Sequence, residues 1–195
     1  MRLSQALLAA VLLNICFASP AASDANAEFD AIYAEAKTRA AGQAVPEVFF
    51  QVAQQRAMAG ASSFGNMGQL ANYLADDFSL YSRVQGDVLR EHCKAKGSDI
   101  APYLSAIAAA SSKDSTAASK IYARLGSNYD SIWSQLKPQA VKGLADLIEN
   151  FAVTLKVPGT SLCEQLAKDP QRSAQLLSYS SARAPRSEVL RAISP

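Results

Sequence analysis

The sequence predicts an all-α protein: a single compact helical bundle of about six to nine helices, tied by one disulfide. Three observations predict it. Ala, the strongest helix former, is roughly a fifth of the chain. Apolar residues recur at i, i+3, i+4, i+7, whereas no alternating run is bounded by hairpin turn signals. Two cysteines, Cys93 and Cys163, are left as an even pair once an export signal is removed. The 195 residues, 49% hydrophobic and 18% charged, are enough for one buried core and exclude a wholly disordered chain.

The export signal comes first. Arg2 supplies a positive start, residues 6–18 (ALLAAVLLNICFA) an apolar stretch, and Pro20 with the small residues after it a cleavage region. Cleavage fits after Ser23 or after Ala25, so residues 1–25 are expected as signal peptide and 26–180 as the helical domain. About 13 apolar residues fall short of the ~20 that span a bilayer, so no stable membrane anchor is expected. Asn14 and Ile15 stand where lipid attachment at Cys16 would require small residues. The mature chain is therefore expected in the periplasm or the extracellular space. That oxidising setting favours a Cys93–Cys163 bridge, closing a loop worth up to ~4 kcal/mol.

Each helix then has its own signals. Phe29, Ile32, Tyr33 and Ala36 mark a first helix over about 27–40, stopped by Gly42. Pro46 opens a second with Phe49, Val52, Ala53 and Ala57 on one face, ending at Gly60. Three glycines in residues 60–68 (GASSFGNMG) make a loop. A long pattern follows from Leu70 through Leu74, Phe78, Tyr81, Val88 and Cys93, with Gly86 a place for a kink and Gly97 a stop. Ser98 or Asp99 caps a helix carrying Ile100, Tyr103, Leu104 and Ile107. Residues 111–115 read as a polar break before Ala118, Ile121, Tyr122 and Leu125, which Gly126 ends.

A short helix with Tyr129, Ile132, Trp133 and Leu136 is expected to stop before Pro138. Residues 138–156 form the clearest pattern, with Val141, Leu144, Ala145, Ile148, Phe151, Ala152 and Leu155 on one face. Ile148, Phe151 and Leu155 are expected to share a core with Leu74 and Phe78. Ser161 and Glu164 resemble a capping box, and Asp169-Pro170 a further helix start. Residues 181–195, with Arg183, Arg186 and Arg191 against Glu188, are expected to be a flexible basic tail.

Chemistry is sparse. Net charge is +2, lacking the single-sign field of a nucleic-acid binder. Glu91, His92 and Cys93 carry ligand chemistry, but neighbours on a helix diverge by about 100° and no second His/Cys cluster completes a metal site. His92 is the lone histidine, so a Cys163–His92 pair or a serine triad would have to use it, and no nucleophile elbow exists. His92 is expected to pack at a helix C-terminal end. Asp76 and Asp77 are adjacent, yet acid/base catalysis needs two carboxylates facing one cleft. No catalytic, cofactor or metal residues are therefore assigned, and no cofactor is expected.

Phe64 and Met67 sit in the glycine-rich loop; they either tuck back onto the helical core or are exposed there, and they are the candidate partner-contact residues. The sequence thus predicts a non-enzymatic helical module that binds another exported protein, as an immunity protein, inhibitor or adaptor does. One alternative is a carrier of a small apolar ligand or lipid, which needs an enclosed cavity of ~300 Å³ or more. The other is a carboxylate-based hydrolase, which needs paired acids ~5–9.5 Å apart.

Overall fold

Residues 20–62, 64 and 66–194 are described by the computed structural model, so residues 1–19 of the expected signal peptide lie outside it. Every regular element among the described residues is helical. The helices are α1 (Pro20–Arg39), α2 (Val45–Met58), α3 (Met67–Arg83), a π-helical turn (Val84–Leu89), α4 (Arg90–Ala95), α5 (Ala101–Ala110) and α6 (Ser112–Leu125). After them come α7 (Asp130–Lys142), α8 (Leu144–Leu155), a 3₁₀ turn (Gly159–Ser161), α9 (Leu162–Lys168), α10 (Pro170–Leu177), α11 (Tyr179–Ala182) and α12 (Ala184–Ile193). Breaks at Ser178 and Arg183 divide the C-terminal part into shorter pieces than the sequence pattern suggests.

Two apolar clusters fill the bundle. The first gathers Phe29, Ile32 and Ala36 of α1, Phe49 and Val52 of α2, Leu74 and Phe78 of α3, and Ile121 of α6. It is closed by Tyr179, Val189 and Leu190. The second gathers Val88 and Leu89 of the π turn, Tyr103 and Ile107 of α5, Trp133 of α7, Phe151 of α8 and Leu162 of α9. Leu74 and Phe78 therefore do not share a cluster with Phe151. On α8 the buried stripe turns toward Leu147 and Phe151, leaving Ile148 and Leu155 half-buried, and Val141, at the end of α7, is exposed.

Cys93 and Cys163 are bridged, with Cα atoms 5.3 Å apart across 70 residues. The bridge joins α4 to α9, and both cysteines are buried members of the second cluster. The kink expected at Gly86 takes the form of the π turn, which carries one extra residue and leads directly into α4. Gly97 and Gly126 adopt φ of +77° and +64°, the left-handed conformation that ends a helix and that only glycine adopts freely.

Three local readings are corrected. Pro138 lies inside α7 rather than between helices, and the break falls at Gly143, where the chain bends between α7 and α8. Ser161 makes no side-chain cap; the 3₁₀ turn before α9 takes up its backbone instead, Ser161 N–H donating to the Pro158 carbonyl. The polar break at 111–115 is only a corner at Ser111, because Asp114 is a fully buried member of α6.

The largest correction concerns the basic tail. Residues 184–193 are not flexible but form α12, with Arg186, Val189 and Leu190 buried. Asp77 of α3 accepts a hydrogen bond from the Tyr179 hydroxyl at 2.8 Å. Arg183 and Arg186 lie 4.0 and 3.9 Å from its carboxylate, close enough for Coulombic pairing though long for hydrogen bonds. Arg186 also reaches the Tyr73 hydroxyl, Asn26 Oδ1 and Asp30, and covers the Phe29 ring at 4.9 Å. Asp114 accepts two bonds from Arg191 at 2.8 Å each and one from Ser187 at 2.7 Å. Charge pairing with buried acids, invisible in a local reading, orders the segment.

The same network reaches into α1. The helix extends back to Pro20, ahead of the expected start at 27, and Asn26 within it is buried and held by Tyr73 and Arg186.

Candidate functional site

The loop before α3 carries both candidate contact residues, and the structure separates them. Phe64 is buried, its ring 5.2 Å from that of Tyr73. Its N–H donates to Ser62 Oγ at 3.1 Å, and Ser62 Oγ donates in turn to Glu28 at 2.5 Å, which pins the loop to α1. Phe64 is thus a core residue, tucked back onto the helical core rather than presented to a partner. Met67 is 42% exposed at the start of α3, whose first turn Asn66 caps by accepting from the Gln69 N–H at 3.0 Å.

Met58 takes the place vacated by Phe64. It ends α2 at 81% exposure, the most exposed large apolar side chain among the described residues. Together Met58 and Met67 flank a groove of about 520 Å³ whose wall is Phe50, Ala53, Phe64 and Leu70. Sequence reasoning missed Met58 because it ends the helix one residue past the buried stripe. That position was itself the available signal, since an apolar residue off the buried face has nothing of its own chain to cover it.

A second concavity, about 230 Å³, lies between the π turn and the corner joining α5 to α6. Phe78, Leu104 and Ile107 make its floor, and Gln85 and Gly86 of the π turn one side. Gln85 is buried and fully engaged: its amide donates to the Leu177 carbonyl at 3.0 Å, and its oxygen accepts from the Tyr103 hydroxyl. This cleft is smaller than the cavity expected of a carrier and opens to the surface at Arg90.

The residues weighed for catalysis do not converge. Asp76 and Asp77, adjacent on α3, turn to different neighbours. Asp76 accepts from Tyr122 and Asn72 at 2.8 Å each, while Asp77 faces Tyr179 and the arginines of the C-terminal segment. Burial raises the Asp76 carboxyl above its ordinary range, against those two donors. His92 is half-buried at the end of α4. Desolvation and then Lys96 hold its pKa below the usual value, so the imidazolium favoured by the helix dipole is opposed there. Cys93 and Cys163 are consumed by the bridge. Among the described residues no group of three or more His, Cys, Asp or Glu could hold a metal ion. No helix among them is long and apolar enough to cross a membrane.

No protein-family model, curated protein or solved structure matches this chain. Its class is the one the fold defines: an all-α helical bundle with one disulfide.

Proposed function

We propose that the chain is an exported, non-enzymatic module that binds another protein, and that the binding surface is the Met58/Met67 groove. The observation that carries this reading is the pair of exposed methionines over an apolar groove of about 520 Å³. Thioether side chains adapt to irregular apolar partners without strain, which suits them to recognition surfaces. The groove's occupant is an amphipathic helix of the partner, presenting apolar residues at i and i+3 or i+4. Export is supported by the layout of residues 1–25 and by the paired cysteines, which suit an oxidising compartment.

A photo-crosslinking residue at position 58, in the chain expressed in its own host, tests the reading. One discrete crosslinked protein is expected, lost on Met67→Glu and absent when the probe stands at Val153, also exposed, on α8. An empty result at 58, or the same bands from 153, overturns it.

A further inference from the structure

The geometry points to the cleft beside the π turn as a binding site for a small monocarboxylate with a short apolar stem. This site is separate from the methionine groove and does not depend on it. Its shape comes from the backbone: the extra residue of the π turn sets Gly86 on the wall and Arg90 at the rim. A side chain at position 86 would enter otherwise open space, since an added Cβ meets only the Arg90 guanidinium, at 4.0 Å. Glycine there keeps the mouth open and leaves Arg90 free to lie across it.

The lining names the ligand class. Phe78, Leu104 and Ile107 offer an apolar floor, which fits a short hydrocarbon or ring. Arg90 is the one charged residue of the lining, and it enters no ion pair among the described residues. Ser82 and Ser115 stand at the same rim with no side-chain hydrogen bond of their own. A guanidinium fork, with hydroxyls lining the same cleft, matches the two oxygens of a carboxylate. The polar groups deeper in the wall are already engaged, Gln85 and the Tyr81 hydroxyl by the Leu177 carbonyl or Tyr103, and Ser111 Oγ by the Tyr179 N–H at 3.5 Å. The floor therefore selects an apolar stem and the rim an anion, in that order from the inside outward. At about 230 Å³ the cleft suits a ligand of modest size.

Sodium octanoate titrated into the ¹⁵N-labelled protein, with the disulfide intact, tests the assignment. Saturable shifts are expected at the amides of Ser82, Gly86, Leu104 and Ala108, with a Kd below about 1 mM, as ligand-efficiency limits allow for so small a molecule. Octanol, which keeps the stem and lacks the charge, should bind roughly tenfold more weakly, as should octanoate to Arg90→Gln. Ala108→Trp, an exposed lining position on which the fold does not depend, should abolish the shifts by filling the cleft. Shifts centred on Met58 and Met67, no saturation, or octanoate binding unchanged by both substitutions overturns the proposal.

Discussion

Around Phe29 and Tyr179 distant parts of the chain are held together by charge, whereas around Cys93 and Phe151 they are held by a covalent bridge. In the first region Asp77 and Asp114 receive Tyr179, Arg183, Arg186, Ser187 and Arg191 from the end of the chain. In the second, Cys163 closes a separation of 70 residues, and no buried ion pair is found among its described residues. The two devices solve one problem, the entropy of bringing remote segments together, at different points. A disulfide acts mainly on the unfolded chain, restricting it beforehand. A buried ion pair acts only in the folded state, where desolvation offsets much of its attraction, so its clearest effect is the penalty when one partner is lost. The first region should thus answer to single charge substitutions, and the second to reductant.

The largest effect is expected from Asp77→Ala. It leaves Arg183 and Arg186 buried without their common anion, and should destabilise the fold by about 3–5 kcal/mol. Urea unfolding measures the total. Amide exchange should show the loss first at Val189 and Leu190 of α12. A cost below about 1 kcal/mol would mean that apolar burial of α12, not charge, seats the C-terminal segment.

Reduction is the matching test for the second region. Cys93→Ala with Cys163→Ala should cost up to about 4 kcal/mol, by the loop-entropy relation for a closure of this length. Exchange should quicken in α4, α5 and α9 while α12 keeps its protection. Equal loss of protection in α12 would show that the two clusters unfold as one cooperative unit, and would erase the distinction between them.

The two regions also differed in how legible they were. Stripes with short internal spacing could be read directly: Phe29, Ile32 and Ala36, or Phe49 and Val52, are buried as their period requires. The bridge followed from cysteine arithmetic, and the irregularity at Gly86 from its poor helix propensity. What could not be read was pairing across the chain. Asp77 could be read only as one of two adjacent acids and Arg186 only as a tail residue, because each is polar in its local window. Only the fold places them 3.9 Å apart. Phe64 could not be decided between core and surface for the same reason, since the contacts that bury it come from Tyr73 and from the Ser62–Glu28 link to α1. The methionine groove was half legible, through Met67. Its other half depends on where α2 stops.

Alkali offers a graded probe of the charged region. Burial pushes the Tyr73 hydroxyl up to about 12 from an ordinary 10, with Arg186 and Arg183 pulling the other way and Asp77 adding to the rise. A raised folded-state pKa means that the neutral form is the one the fold favours. Its contribution is full below pH 10 and is lost as the pH climbs through 12, amounting to about 3 kcal/mol at most. Tyr103 adds a change of the same sign in the second region, because burial raises it as well. The specific test is therefore the difference between the native chain and Tyr73→Phe. The variant gives up the hydroxyl's bond to Asn26 at neutral pH, yet its stability should fall less steeply between pH 10 and 12. Parallel slopes would mean that the Tyr73 pKa does not change on folding.

The smallest stability effect belongs to the surface that the proposed function needs most. Met58→Ser removes an 81% exposed side chain from the first region, and Val153→Ser a 53% exposed one from the end of α8. Neither leaves a buried void, so each should change unfolding stability by less than about 0.5 kcal/mol. If stability were all that mattered, the two substitutions would be equivalent. Partner recovery through a crosslinker at position 67 should separate them: reduced severalfold by Met58→Ser, unchanged by Val153→Ser. That outcome would place recognition on the side of the molecule built around the charge-seated cluster. Equal recovery from both variants would detach the groove from binding, however exposed its methionines are.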